Sequence, residues 1–365
     1  GEKVVDRGWN WAVNARQCGS AIKPVSTYAP ALDDGTINGA SVIDDYPMLL
    51  NGEVWPRNAN WRYQGLTALH TAIAQSLNTC AVRTNLAYGV TNSYDFLVDK
   101  LGFENLTYTD SQQVGNMALG GFEKGVTTEE MAAAYAAFVN EGVYTKPRTF
   151  IRVEDANGNV VLENEAQSTV AMKNTTAAII NHLLQEAALN GTGYEAQFSG
   201  MHIAGKTGST NSNKDRYFAG YTPYYSCAVW AGYEHNQRIV ASGNPCAVIF
   251  QKVMKAIHED LPDKDFFSCA GLTSVAVCAD SGMLASENCA LDVRGSRVYT
   301  ALVAADNAPT SVCTMHTAPS YTVNMADSDG NVTYRHDSTP VRQVISEQTS
   351  ATVRECLEYV VASGT

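Results

Sequence analysis

No run of apolar residues in this chain is long enough to cross a bilayer, and its start carries no signal-peptide pattern. The chain opens at Gly1-Glu2-Lys3, which reads as a cut within a larger protein, so targeting information belongs to a parent sequence. Positive charge is scarce. Lys and Arg number 25 against 37 Asp and Glu, a formal charge of −12. Without a basic cluster the chain has no footprint for nucleic acid, although a few local donors still suffice to hold a carboxylate ligand. No Cys-x-x-Cys pair occurs among the nine cysteines, which excludes a zinc ribbon or a thioredoxin-like motif. The seven histidines show no His-Glu-x-x-His or other metal spacing. No metal or organic cofactor is therefore expected. Four cysteines fall between Cys269 and Cys313, where a Cys278–Cys289 disulfide is one arrangement and buried, idle thiols the plainer one.

What is present is a folded composition, 45% hydrophobic and 17% charged over 365 residues. That length suits one large domain with an appendage, or two ordinary domains. Apolar spacing predicts a helix over 67–77, with Leu69, Ala72, Ile73 and Leu77 on one stripe. A second is expected from Thr127 to Asn140, opened by a Thr127/Glu130 capping box and stopped at Gly142. A third runs from Asn174 to Leu189. Then the period changes. Residues 201–209, 216–222 and 226–233 are β-branched and aromatic runs parted by turn residues, the pattern of an antiparallel meander. Residues 245–261 follow as an amphipathic helix with Ala247, Phe250, Val253, Met254 and Ile257 inward. Helices followed by an antiparallel sheet and a closing helix give an α+β layered domain. Beyond 263 the sequence becomes loop-rich, and Asp327–Val332 weakly echoes Asp155–Val160 without forming a repeat array.

Three short motifs carry chemistry. In Gly19-Ser20-Ala21-Ile22-Lys23-Pro24, a helix beginning at Ser20 puts the Lys23 amine on the face of the Ser20 hydroxyl. The helix-start amides favour negative charge developing there. Ser-x-x-Lys alone is weak evidence, because chance produces it about once in a few hundred residues. Ser76-Leu77-Asn78 offers a hydroxyl to relay protons and an amide to hold a substrate. Ser-x-Asn also stands at Ser209, Ser242 and Ser286, so position alone singles out Ser76. On a strand, Lys206-Thr207-Gly208-Ser209-Thr210 presents Thr207 and Ser209 to one side, where two hydroxyls and an ammonium suit a carboxylate. Gly208 leaves room for a ligand to lie alongside. The amide of Ser209 is then placed to join that of Ser20 as an oxyanion hole. Residues 200–207 also match the phosphate-loop formula Gly-x-x-x-x-Gly-Lys-Thr. That loop must open a helix, and here a polar turn follows, so the nucleotide reading is set aside.

Ser-x-x-Lys, Ser-x-Asn and Lys-Thr-Gly in this order resemble the active-site set of penicillin-binding proteins and serine β-lactamases. The likeness extends between the motifs. Arg16–Pro24 resembles the nucleophile segment of class A penicillin-binding proteins, and Ala72–Val82 their second motif. Leu119-Gly120-Gly121, Ala134-Tyr135 and Asn140–Tyr144 are similar to the helical stretch before their sheet, and Lys214–Pro223 to the strand after Lys-Thr-Gly. The resemblance covers about residues 1–260. Cys18 stands where the family usually has Pro and Tyr217 where it often has Trp. The family's domain starts with strands upstream of Gly1.

The resemblance implies a DD-peptidase/β-lactamase-like fold, an antiparallel sheet flanked by helices with a helical subdomain. It implies a transpeptidase domain over 1–263 and a loop-rich C-terminal extension of unassigned role over 264–365. The implied activity is D-Ala-D-Ala transpeptidation of peptidoglycan. Ser20, Lys23 and Ser76 are then catalytic, and Asn78, Lys206, Thr207, Gly208, Ser209 and Thr210 bind substrate. The partners implied are peptidoglycan stem peptides, β-lactam antibiotics and other cell-wall synthesis proteins. The place is the extracytoplasmic face of the bacterial membrane, with the anchor in the parent protein. A serine β-lactamase is the nearest alternative, but it needs a water-activating base, and no convincing Glu-x-x-x-Asn element precedes Lys206. A non-catalytic β-lactam or peptidoglycan sensor is the other.

Overall fold

The structure, a computed structural model, describes residues 9–50, 52–317 and 344–363. A three-stranded antiparallel sheet lies at its centre, with Asp215–Tyr221 in the middle, Ala204–Ser209 on one side and Ser226–Gly232 on the other. The middle strand is buried on both faces, and the strand period explains how. Tyr217, Ala219 and Tyr221 point into the large core, which is shared with helices Thr128–Val139 and Asn174–Leu189. Phe218 points the other way, into a smaller core under helix Pro245–Ile257, where its ring lies 4.8 Å from that of Phe250. The result is a helix–sheet–helix sandwich, the layering expected. Among the described residues the outer edge of Ser226–Gly232 pairs with no further strand.

Two helices form where their sequence signals place them. Thr127 accepts the Glu130 amide at 3.0 Å and the Glu130 carboxylate accepts the Thr127 amide at 2.7 Å, closing the capping box. Helix Asn174–Leu189 matches its expected bounds. Others differ. The 67–77 segment is not one helix: Gly65–Ala68 is a strand paired with Val42–Asp45, and the helix spans only Leu69–Ala74. Ser76 then takes a left-handed φ of 60° and turns the chain into a new helix, Asn78–Tyr88. The predicted stripe Leu69, Ala72, Ile73 and Leu77 is buried regardless, because burial is read by face and not by element type. The strand expected over 201–209 starts only at Ala204. The closing helix ends at Ile257, and its inward stripe is Cys246, Ala247, Phe250 and Met254. Val253 and Ile257 are 45% and 50% exposed, contrary to expectation, because periodicity names a face and nothing among the described residues covers that flank.

The extension after 263 is more ordered than its loop-rich sequence suggests. Leu272–Cys278 and Val298–Ala304 form a seven-residue antiparallel pair. Its inner residues Val277, Ala301 and Val303 close on Ala40, and Gly39 lies so near that an added Cβ would meet the Leu302 carbonyl oxygen at 2.0 Å. Cys278 and Cys289 do not form the disulfide considered above: both are free thiols. A last helix, Glu347–Ser363, docks its start on Asp44, which accepts from the hydroxyls of Ser346 at 2.9 Å and Thr349 at 2.7 Å. The hairpin Arg152–Glu154/Val160–Glu163 is turned by Asp155, whose carboxylate accepts the amides of Asn157 and Asn159. The second copy of that pattern, 327–332, lies outside the described residues.

Candidate active site

Ser20 sits in the first turn of a helical run that changes pitch as it proceeds. Gly19–Ile22 is 3-10, Pro24–Tyr28 is π, and Ala29–Asp33 is α. Pro24 explains the irregular start. It has no N–H to give the Ser20 carbonyl, so the Lys23 amide takes that carbonyl at the tighter i+3 spacing. In a 3-10 turn residues i and i+3 eclipse, so Ser20 and Lys23 share a face more closely than in an α-helix.

The Lys23 amine is fully buried. It donates to the Ser76 carbonyl and to Asn78 Oδ1, each at 2.7 Å, and lies 3.4 Å from Ser76 Oγ. The left-handed turn at Ser76 aims both groups at one point. Burial, and then the neighbouring Lys206 charge, hold the Lys23 amine well below its ordinary value. Among the described residues, no carboxylate is one of its hydrogen-bond partners.

Lys206 and Thr207 lie inside a strand, not in a loop opening a helix. The turn that follows, Asn211–Asn213, is a single 3-10 turn leading into the next strand, so the phosphate-loop reading fails on geometry. Burial lowers the Lys206 amine to about 7. Thr192 Oγ1 lies 3.5 Å from that amine and 2.7 Å from Thr207 Oγ1. Thr192 was not among the residues singled out from sequence; only its place in Gly191-Thr192-Gly193, a turn pinned against the 69–74 helix, could have marked it. Ser209 Oγ accepts from Arg216 at 2.8 Å and is exposed, whereas the Thr210 hydroxyl donates to Asp215 at 3.1 Å and holds the strand turn.

Glycines let these segments meet. A Cβ on Gly208 would stand 2.0 Å from the Cys18 carbonyl oxygen, and one on Gly19 would stand 2.9 Å from the Ser209 amide nitrogen. The Ser20 turn is therefore seated directly on the Lys206 strand, with the Ser209 amide beside it. On its other side an added Cβ on Gly120 would meet the Gly19 carbonyl oxygen at 2.3 Å. Asn58 supports the second motif from below, accepting the Asn78 amide at 2.8 Å and donating to Asp45 at 2.7 Å. Three distant segments thus lie against one another: the Ser20–Lys23 turn, the Ser76–Asn78 turn that its lysine meets, and the Lys206 strand.

The family model of the penicillin-binding protein transpeptidase domain matches residues 9–255. This chain belongs to that family. The model of the penicillin-binding protein 1A C-terminal domain matches residues 268–318. Penicillin-binding protein 1A of Clostridium perfringens is 35% identical over 332 residues, covering 87% of this chain and 39% of that protein. The corresponding protein of Clostridium novyi is 35% identical over 323 residues, covering 84% and 37%. The chain thus spans about two fifths of the length of the curated relatives it matches. Penicillin-binding protein 1A of Haemophilus influenzae has a similar fold, with a TM-score of 0.70 and 23% identity over 84% of this chain and 50% of that one. PonA1 of Mycobacterium tuberculosis, solved in complex with penicillin V, gives 0.61 and 23% over 72% and 74%. Ser20, Lys23, Ser76, Asn78 and Lys206 all fall within the residues matched to the transpeptidase domain.

Proposed function

We propose that this chain is a serine DD-transpeptidase acting on the D-Ala-D-Ala ends of peptidoglycan stem peptides, and that β-lactams acylate the same serine. The observation that carries the reading is the state of Lys23. A neutral amine has two hydrogens and one lone pair. Burial favours that neutral form, its hydrogens have the Ser76 carbonyl and Asn78 Oδ1 to face at 2.7 Å, and its lone pair is the proposed acceptor of the Ser20 proton.

Ser20 Oγ attacks the carbonyl between the two D-alanines while its proton passes to Lys23. The new C–O bond forms and the C–N bond breaks, with the proton delivered through Ser76 to the departing D-alanine nitrogen. The amides of Ser20 and Ser209 receive the oxyanion. Asn78 holds the substrate amide. Lys206, with Thr207 and Ser209, receives the terminal carboxylate, Gly208 leaves the peptide room along the strand, and Thr210 fixes the strand's end. An amine of a neighbouring stem then attacks the ester and frees Ser20. The active chain acts outside the cytoplasmic membrane, where peptidoglycan and the other cell-wall synthesis proteins are.

Intact mass spectrometry after penicillin treatment tests this. A single long-lived adduct on the Ser20 peptide, absent from Ser20→Ala, is expected, together with turnover of a D-Ala-D-Ala-type thioester. An adduct mapped elsewhere would refute the site. Rapid loss of the adduct would make the chain a β-lactamase, and a stable adduct with no thioester turnover would make it a sensor.

A further inference from the structure

The densest group of ligand-type side chains outside the cleft lies in the C-terminal unit. Cys278 ends the first strand of the 272–278/298–304 pair, Cys289 lies in the short helix Glu287–Ala290, and Cys313 and His316 follow the second strand. All four are buried, and their sulfur and nitrogen atoms lie within 4.8 Å of one another. His316 Nδ1 stands 3.5 Å from Cys278 Sγ and 3.5 Å from Cys313 Sγ. A tetrahedral zinc with bonds of about 2.3 Å to sulfur and about 2.0 Å to nitrogen has sulfur–nitrogen edges of about 3.5 Å. We infer that Cys278, Cys289, Cys313 and His316 bind one structural zinc ion.

Three observations support the inference. The first is the orientation of the histidine. His316 Nε2 faces Asp280 Oδ2 at 3.1 Å and Asp292 Oδ2 at 3.2 Å, an arrangement in which Nε2–H donates to carboxylate while Nδ1 faces the sulfurs as a ligand would. Those carboxylates are themselves engaged by Arg294, and Asp280 also by Arg297, which suits them to orient the imidazole better than to bind a cation themselves. Second, backbone amides already point at sulfur: Asp280 N donates to Cys278 Sγ at 3.4 Å and Ser286 N to Cys289 Sγ at 3.3 Å. Such donors stabilise thiolates. The third is the poverty of the local core. Among the described residues, beyond the four residues Ala40, Val277, Ala301 and Val303, the other buried cluster of this unit is the three cysteines themselves. A unit this small needs a staple.

A disulfide would be a poorer one here. Joining Cys278 to Cys289 would leave Cys313 as a buried, unpaired thiol beside His316, whereas zinc uses all four groups. On binding, the three thiol protons leave to solvent and three sulfur–zinc bonds and one nitrogen–zinc bond form, with no change of oxidation state. The site is complete on the 268–318 unit and shares no residue with the penicillin-reactive cleft.

The full chain, purified without chelator, is assayed for metal by elemental mass spectrometry. One zinc per chain is expected, lost in Cys289→Ser and His316→Ala, retained in His316→Cys and in the control Cys269→Ser. Two measurements on the unaltered chain keep the test independent of folding in the variants. Exchange with cobalt should produce thiolate charge-transfer bands and the visible bands of a tetrahedral site. Cys278, Cys289 and Cys313 should resist alkylation until a chelator is added. Absence of stoichiometric zinc with no cobalt spectrum overturns the inference. So does an intact mass lower by two hydrogens with Cys278 and Cys289 recovered as a linked peptide.

Discussion

At the scale of single residues, the proposed mechanism asks two buried lysines to work in opposite protonation states. Lys23 must be neutral to accept a proton, and Lys206 must be charged to hold a carboxylate. Burial depresses both, Lys206 to about 7. The second-order rate constant for acylation by a carboxylate-bearing β-lactam should therefore fall as pH rises through about 7. In Lys206→Arg that falling limb should vanish from the measurable range, since a guanidinium keeps its proton. A limb unchanged in this variant would belong to another group. The same shift is linked to stability. Unfolded, Lys206 titrates at 10.5, and folded at about 7, so between these values the unfolded chain holds the extra proton. Its contribution to folding stability thus rises with pH across that window and is lowest below it. Lys206→Met should flatten this rise, as read from urea midpoints at pH 7 and pH 10.

Among elements, the decisive contact is that between the Ser20 turn and the Lys206 strand, which touch backbone to backbone at Gly208. Gly208→Ala puts a methyl 2.0 Å from the Cys18 carbonyl oxygen, so the strand must move off the turn. A displacement of about 1 Å at a reacting centre costs about 100-fold in rate. Acylation of Gly208→Ala should drop by about that factor while the far-ultraviolet circular dichroism stays unchanged. The 128–139 helix offers the contrast. Thr127→Ala removes one partner of its capping box and should cost about 1 kcal/mol of stability, seen in denaturant midpoints. Its effect on acylation should be small, because the nucleophile segment stays held by contacts that the Thr127 side chain does not make: the Arg16–Val126 backbone pair, 2.9 Å in each direction, and the Tyr135 hydroxyl on the Ala21 carbonyl at 2.7 Å.

Over the whole molecule, the transpeptidase domain and the C-terminal unit are packed together. The extension meets the domain at Gly39 and Ala40 and again at Asp44. Asp44→Ala removes the acceptor shared by Ser346 and Thr349. Faster amide exchange at the start of the 347–363 helix is expected, with protection in the central sheet unchanged; equal loosening of both would show that the two regions unfold together. Val248, Ile249, Val253 and Ile257 leave the closing helix with an apolar flank open among the described residues.

Short-range pattern was enough for several features. The i+3 spacing of Ser20 and Lys23, the Thr127/Glu130 box, the 174–189 helix and the three-strand meander all follow from interactions within a few residues, which the sequence states directly. Tertiary structure decided the rest. The split of 67–77 depended on a partner strand at 42–45, and the depressed amines depended on enclosure by segments more than fifty residues away. Thr192 joined Lys206 only through the meeting of a turn and a strand. Cys278, Cys289, Cys313 and His316 were passed over because a search for close pairs misses ligands brought together by a hairpin. Local periodicity is a property of neighbours along the chain, whereas burial, charge state and convergence belong to neighbours in space.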